Sequence, residues 1–199
     1  KAYLFPEYET PVYAGKHCVV VGGGNVAMDA ARTALRLGAE KVTLAYRRTE
    51  AEMPARRAEI HHAKEEGVEI LELCNPLRFL PGPDGFVSTI ELQRMELGEP
   101  DASGRRRPIP VPDSEFAIPC DVAVTAIGTR ANPFAKLCAD VELNRWGLIE
   151  TDDDGRTSNP KVWAGGDIVT GAATVILAMG AGKKAAESMH QYLQEKHSK

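Results

Sequence analysis

The sequence predicts an α/β fold built on a parallel sheet, and three features of the chain point to it. Residues 17–73 alternate between short β-rich runs and segments with apolar residues at helical spacing, which is the pattern of a parallel sheet. From Pro76 the rhythm changes to turn-rich strands that are typical of an antiparallel meander. The turn "GTRANP" then precedes a long helical segment, so we expect a second domain to begin near it.

Each predicted element follows from its local pattern. Gly38 and Gly67 end the two helices, and Pro54 is a good first-turn residue for the second of them. We expect the meander to cover one face of the parallel sheet, and "DDDG" to be a turn between two short strands. The predicted bounds are, in chain order, strand 17–21, helix 25–37, strand 41–46, helix 54–66, strand 68–73, meander strands 77–80, 85–97 and 115–118, strand 121–126 and helix 174–195.

The composition is that of a globular protein, with 199 residues of which 43% are hydrophobic and 26% charged. Lys and Arg number 24 against 28 Asp and Glu, so the net charge of -4 gives no general attraction to nucleic acid or to an anionic membrane. No apolar run approaches the roughly 20 residues of a membrane-spanning helix, and the N-terminus lacks a signal peptide. We expect a cytoplasmic location, and we expect the chain, which begins at Lys1, to be part of a longer protein.

No metal site and no catalytic side chain are predicted. The four cysteines, Cys18, Cys74, Cys120 and Cys138, are far apart without a C-x-x-C pair, so we expect buried thiols. The three arginines at 105–107 follow Gly104 in a turn-rich segment and are expected to form a solvated hairpin tip.

A glycine-rich turn joins the first strand to the first helix. Gly22 permits a tight turn, Gly24 lets the backbone approach a pyrophosphate, and the small Ala27 lets helix and strand pack closely. The helix N-terminus supplies free N–H groups and a partial positive charge for the phosphates. The residues of this predicted dinucleotide site are Gly22, Gly23, Gly24, Asn25, Val26 and Ala27.

The end of the second strand indicates which dinucleotide binds. A site for NAD usually places an acid about 20 residues after the glycines, where it accepts from the ribose 2′-hydroxyl. Here Arg47 and Arg48 follow Tyr46 instead. Because a guanidinium offers paired donors to a 2′-phosphate that a carboxylate would repel, the sequence predicts NADP.

Three segments of the chain carry a family resemblance: "VVVGGGNVAMDAARTALRLGAEKVTLAYRRTEAEMPARRAEIHHAKEEG", "DVAVTAIGTRANP" and "VWAGGDIVTGAATVILAMGAGKKAA". They resemble the NADPH-binding half and the C-terminal FAD-binding segment of the glutamate synthase small subunit, and similar blocks in dihydropyrimidine dehydrogenase and NADPH:ferredoxin-type flavoproteins. The resemblance implies that NADPH reduces FAD. It also implies that electrons pass through iron–sulfur clusters to a partner, either the large glutamate synthase subunit or another electron-accepting subunit.

The resemblance further implies two domains, a Rossmann-like NADP-binding domain at 10–131 and the last part of an FAD-binding domain at 132–199. It places Ala126, Ile127 and Gly128 beside the bound nicotinamide dinucleotide. In the second domain it implies FAD contacts at Gly166 and Asp167, where the aspartate accepts from the ribityl chain. It implies further contacts at Ala173, Thr174 and Val175, where the last helix begins near the flavin ring.

The sequence lacks two parts of the family pattern. The family's first glycine fingerprint, which holds the FAD phosphates, and its cluster-binding cysteines lie N-terminal to this chain, so we expect FAD only in the full-length protein. Thioredoxin reductases carry a C-x-x-C before the first strand of the NADP domain, and "FPEYETPVYAGKH" has none. Two alternatives stay open: an NADP-binding module without turnover, and a methyltransferase, which the arginines disfavour.

Overall fold

The structure, a computed structural model, describes residues 4–13, 15–101, 104–133 and 140–197. It divides into two compact units, Lys1–Ile127 and Gly128–Lys199. The boundary predicted from the sequence, at residues 131 and 132, lies a few residues further along the chain. A parallel sheet is present, and the predicted α/β fold class is confirmed.

The first unit contains two sheets. One is a four-stranded parallel sheet in the order β3-β2-β1-β7, and the other is a three-stranded antiparallel sheet in the order β4-β5-β6. Within its described residues, the second unit contains two helices. The elements are β1 (His17–Val21), α1 (Asn25–Arg36), β2 (Lys41–Ala45), α2 (Arg57–Glu65), β3 (Glu69–Leu71), β4 (Cys74–Pro81), β5 (Val87–Pro100), β6 (Arg106–Pro119), β7 (Val122–Thr125), α3 (Asp167–Thr170) and α4 (Val175–His197), with 3₁₀ turns at Pro6–Tyr8 and Glu50–Glu52.

The parallel sheet is covered on both faces, because side chains alternate along its strands. On β1, Cys18 and Val20 pack into the cluster formed with the two helices, whereas Val19 and Val21 pack into the cluster that contains Ile90 of β5. The first unit therefore has three layers, helices, parallel sheet and antiparallel sheet. Burial on both faces explains why β1 reads as a continuous apolar run.

The meander is longer than predicted. The segment between residues 98 and 114 was expected to be mostly loop, but β5 extends to Pro100 and β6 begins at Arg106. Strand β6 contains prolines at 108, 110 and 112. They are tolerated because β6 is an edge strand, where a missing N–H need not leave a ladder bond unmade.

The second unit packs around one face of α4. Ser188 accepts hydrogen bonds from Trp163 Nε1, at 3.0 Å, and from Arg156 Nε, at 3.2 Å. A Cβ on Gly165 would lie 2.8 Å from the carbonyl oxygen of Ala181, so this glycine lets the chain approach the helix. The strands predicted around "DDDG" are single bridges, Leu143 to Ile149 and Arg156 to Trp163, while the predicted turn is present.

Three cysteines match the expectation of buried thiols. Cys18, Cys74 and Cys120 are free and buried, and burial raises the pKa of the Cys18 and Cys74 thiols to about 11. Cys138 lies outside the described residues. Among the residues that the structure describes, no three His, Cys, Asp or Glu side chains could share a metal ion, and no helix is both long and apolar enough to cross a bilayer.

A network of charged side chains joins α1 to α2. Arg32 contacts Glu59 and Glu66, each at 2.8 Å, and Arg36 also contacts Glu66. The Arg36 hydrogen bond, together with Arg32 and against a smaller effect of burial, lowers the pKa of Glu66 to about 2. Because this pKa is lower in the folded chain than in the unfolded one, the network stabilises the fold above about pH 4.5.

We expect Glu66→Gln to lower the free energy of unfolding by about 1 kcal/mol at pH 7, since the pair is partly solvated. The difference from wild type should shrink as the pH falls from about 4.5 towards 2, where Glu66 becomes protonated in the folded chain as well. Urea unfolding at several pH values measures it. Glu65→Gln, which removes a neighbouring exposed charge, is the control, and a pH-independent difference would contradict the assignment.

Candidate functional site

The carboxyl ends of β1, β2 and β7 lie at one edge of the parallel sheet. The N–H of Gly22 donates to the Ala45 carbonyl at 3.1 Å, and the N–H of Ala126 donates to the Val21 carbonyl at 2.8 Å. The glycine-rich turn is thus bordered by the ends of both neighbouring strands. Ligands of open α/β sheets bind outside such strand ends, so this edge is the candidate site.

The three glycines of the turn differ in what surrounds them. Gly22 has φ +146°, and a Cβ there would lie 2.4 Å from the Ala126 oxygen. A Cβ on Gly23 would lie 2.6 Å from the ring of Tyr46. At Gly24, where φ is -92°, the nearest atom of the described residues is Pro54 Cγ at 4.0 Å. Packing within the chain therefore requires glycine at the first two positions but not at Gly24.

Helix α1 begins directly after this turn. Ala27 is fully buried, as its predicted packing role requires, whereas Asn25 and Val26 are exposed. The first turn contains no acidic residue, and the first N–H groups of a helix lack partners within it. The helix end can therefore bind an anion.

A segment that precedes α2 braces the glycine turn. The N–H of Ala55 donates to the Gly23 carbonyl at 3.1 Å, and the N–H of Arg56 donates to Asn25 Oδ1 at 2.9 Å. These bonds hold residues 54–56 in a non-helical conformation, so the predicted start of the helix at Pro54 was wrong and α2 begins at Arg57. The sequence analysis missed this contact, because its partners are about thirty residues apart.

The two arginines after β2 have different environments. Arg47 is exposed, whereas the side chain of Arg48 is 6% exposed. Arg48 Nη2 donates to Asp101 Oδ2 at 2.8 Å, and its Nε donates to the Arg106 carbonyl at 2.6 Å. Arg106 in turn contacts Glu52 at 2.6 Å, and its side chain is 49% exposed, so this residue of the expected solvated tip also takes part in an ion pair. Asp101 was also missed, since nothing in its local sequence links it to Arg48.

The remaining predicted residues lie at the end of β7 and in the second unit. Ile127 is 75% exposed, and Gly128, which opens the second unit, has φ +87°. Gly166 is buried with φ +84°, and the exposed Asp167 lines a cleft of about 930 Å³ together with Arg130 and Trp146. At the start of α4, the residues predicted to face the flavin ring are all exposed: Ala173, Thr174 and Val175.

The comparisons with known proteins show which family the chain belongs to. The model of the pyridine nucleotide-disulphide oxidoreductase family matches residues 2–185. The NADP(+)-dependent formate dehydrogenase subunit beta of Moorella thermoacetica is 50% identical over 186 residues, which is 93% of this chain and 26% of that protein. The glutamate synthase [NADPH] small chain of Escherichia coli K12 is 44% identical over 90% of this chain and 39% of that protein.

A third relative, the NADPH-Fe(3+) oxidoreductase subunit beta of Geobacter sulfurreducens, is 41% identical over 93% of this chain and 31% of that protein. The chain thus spans 26% to 39% of the lengths of these three relatives. Thioredoxin reductase of T. acidophilum has a similar structure, with TM-score 0.70 and 24% identity over 95% of this chain and 55% of that one. This likeness concerns the fold alone.

The different surroundings of Gly22 and Gly24 predict that alanine at the two positions changes the free energy of unfolding by different amounts. Gly22→Ala should lower the free energy of unfolding by about 2 to 4 kcal/mol, because the new methyl group meets the Ala126 carbonyl and the backbone angle is strained. Gly24→Ala should cost at most about 1 kcal/mol, the difference between the two residues as helix caps. Urea titration of both variants decides it, and an equal loss in the two would contradict the packing described here.

Proposed function

Because the chain belongs to the pyridine nucleotide-disulphide oxidoreductase family, we propose that it is the NADPH-binding part of a flavoprotein oxidoreductase. In the full-length protein NADPH would supply a hydride and FAD would accept it, with electrons passing on to iron–sulfur clusters. The partner would be the large subunit of a glutamate synthase or another electron-accepting subunit. In support, three relatives whose printed names describe different activities all have NADP or NADPH in those names.

Gly24 is the observation that carries the proposal. Glycine at Gly22 and Gly23 is explained by the chain's own packing, but the space beside Gly24 is open. A ligand that approaches the backbone closely would explain the third glycine, and the neighbouring N-terminus of α1 favours an anionic ligand. A dinucleotide pyrophosphate fits both conditions. In the proposed complex, residues 22–27 bind the pyrophosphate.

The choice of NADP over NAD rests on the cationic end of β2. Arg47 and Arg48 follow Tyr46 there, in the position where an acid would select NAD. Arg47 is exposed and can reach a ligand from solvent without breaking a buried contact. Ala126, Ile127 and Gly128 would complete the site beside the nicotinamide dinucleotide.

For the second unit we propose contact with FAD through Gly166, Asp167 and the start of α4. The Asp167 carboxylate, exposed on its cleft, could accept a hydrogen bond from the ribityl chain. The first turns of α4 expose apolar side chains, including Ile176 at 81% and Leu177 at 62%. We propose that the parts of the FAD domain outside this sequence cover them, since exposed apolar surface of this kind usually marks an interface.

Two substitutions test the NADPH site. Gly24→Ala should weaken NADPH binding at least tenfold, because the added methyl group occupies the space that the pyrophosphate would need, while the fold stays intact. Arg47→Ala should remove most of the preference for NADPH over NADH, which we expect to be at least tenfold, or about 1.4 kcal/mol, in the unchanged protein.

Calorimetric titration of NADPH and NADH measures both effects. Arg145→Ala, which removes an exposed arginine of the second unit, is the control and should leave both affinities unchanged. Equal affinity of the unchanged protein for the two nucleotides would refute the assignment to NADP. Normal NADPH binding by Gly24→Ala would remove the observation on which the proposal depends.

Asp167→Ala tests the flavin side. In the full-length protein it should weaken FAD binding at least tenfold, because it removes a charge-assisted hydrogen bond worth about 1.5 to 3 kcal/mol. NADPH affinity should be unchanged, since the residues proposed to bind the phosphates, 22–27 and Arg47, lie in the other unit. Asp153→Ala, which removes another exposed acid of the second unit, is the control. Unaltered FAD affinity would make Asp167 a turn residue only.

A further inference from the structure

The guanidinium of Arg48 is committed to partners inside the first unit. Its side chain is 6% exposed, and it donates to Asp101 Oδ2 at 2.8 Å and to the Arg106 carbonyl at 2.6 Å. A guanidinium that left these partners would lose an ion pair and a hydrogen bond that it makes while almost fully buried, which is unfavourable. Arg48 therefore does not act as a mobile cation at the edge of the site.

A second ion pair joins the loop after β2 to the β5–β6 hairpin, and here the hairpin supplies the cation and the loop supplies the anion. Arg106 contacts Glu52 Oε1 at 2.6 Å, and Glu52 Oε2 accepts from the Thr49 N–H at 3.1 Å. Burial would raise the pKa of Glu52, but the hydrogen bonds from Thr49 and Arg106 more than offset it and leave this pKa below its usual value. We call the four residues Arg48, Glu52, Asp101 and Arg106 the latch.

The latch joins the β5–β6 hairpin to the loop that carries Arg47. Each segment contributes one cation and one anion, so the latch adds no net charge to the site. The same loop supports the glycine turn, because Tyr46 packs against Gly23 and donates from its hydroxyl to the Glu52 carbonyl at 3.0 Å. Displacement of residues 47–52 would therefore move Arg47 relative to the glycine turn.

We infer that Arg48 is a positioning residue for nucleotide selectivity, which acts through the latch to place Arg47, and that Arg47 alone of the two binds the 2′-phosphate. The inference rests on the proposed NADPH site and changes the role of one of its two arginines. It also gives the antiparallel sheet a part in selectivity, through Asp101 and Arg106, although neither residue lies at the edge of the parallel sheet.

Asp101→Asn separates positioning from direct binding, because the two roles require opposite results. If Arg48 were itself a phosphate ligand, removal of the Asp101 charge would release it and would lessen the repulsion of a phosphate, so NADPH would bind as well or more tightly. If Arg48 is a positioning residue, loss of the ion pair loosens the loop. We then expect NADPH affinity to fall at least fivefold in the full-length protein, while NADH affinity changes less than twofold.

The double variant Arg47→Ala with Asp101→Asn shows whether the effect passes through Arg47. We expect it to bind NADPH as Arg47→Ala alone does, because the latch has nothing left to position. Additive losses would mean that Asp101 acts independently of Arg47 and would overturn the inference. Glu52→Gln breaks the second ion pair with the same change of charge, and should give the same loss even if Asp101→Asn fails to fold.

Asp84→Asn is the matched control, since it removes an acid from the β4–β5 turn of the same antiparallel sheet. Its affinities for both nucleotides should equal those of the unchanged protein. Suppose that the unchanged protein prefers NADPH but that Asp101→Asn and Glu52→Gln both bind NADPH as tightly as it does, or more tightly. That result would overturn the inference about Arg48 and would leave the proposed function standing. Equal binding of NADPH and NADH by the unchanged protein would overturn the proposed function and the inference together.

Discussion

The close approach of the Gly22 backbone to the Ala126 carbonyl is the constraint on which the site depends. A side chain at Gly22 would lie 2.4 Å from that oxygen, so only glycine lets β1 end beside β7. On the other side, the ring of Tyr46 occupies the space that a side chain at Gly23 would need. The turn is thus held between two neighbours, and the N-terminus of α1 has its orientation before any ligand binds. Such preorganisation lowers the entropic cost of binding.

What the end of β2 can recognise depends more on where Arg47 and Arg48 lie than on how many cations are present. Arg48 and Asp101 cancel each other's charge, and so do Arg106 and Glu52, which leaves Arg47 as the cation of that loop that faces solvent. A phosphate presented to this edge would meet one exposed guanidinium, that of Arg47, on a loop that is joined to the β5–β6 hairpin by two ion pairs. Since bidentate recognition of a phosphate depends on geometry, the position of the loop that carries Arg47 matters for discrimination.

The sequence predicted those parts of the molecule that depend on local patterns. The unit β1–α1–β2 and the role of Gly22 follow from periodicity and turn chemistry, which act over a few residues. What it missed depends on distant partners. Pro54 looked like a helix start, but hydrogen bonds to Gly23 and Asn25 delay the helix, and the prolines of β6 looked like loop until the strand proved to be an edge. No local pattern could have paired Arg48 with Asp101.

The two units differ in how completely they bury their apolar residues, and this difference bears on how function is divided. In the first unit, both faces of the parallel sheet are covered. In α4, by contrast, only Ala185 and Ser188 are buried, while Val175, Ile176, Leu177 and Met179 are more than half exposed. Burial of such side chains contributes about 1.5 to 3 kcal/mol each, so the second unit gains much of its stability only when another surface covers this helix. We therefore expect recognition of the nucleotide phosphates to be a property of the first unit, and flavin chemistry to require the full-length protein.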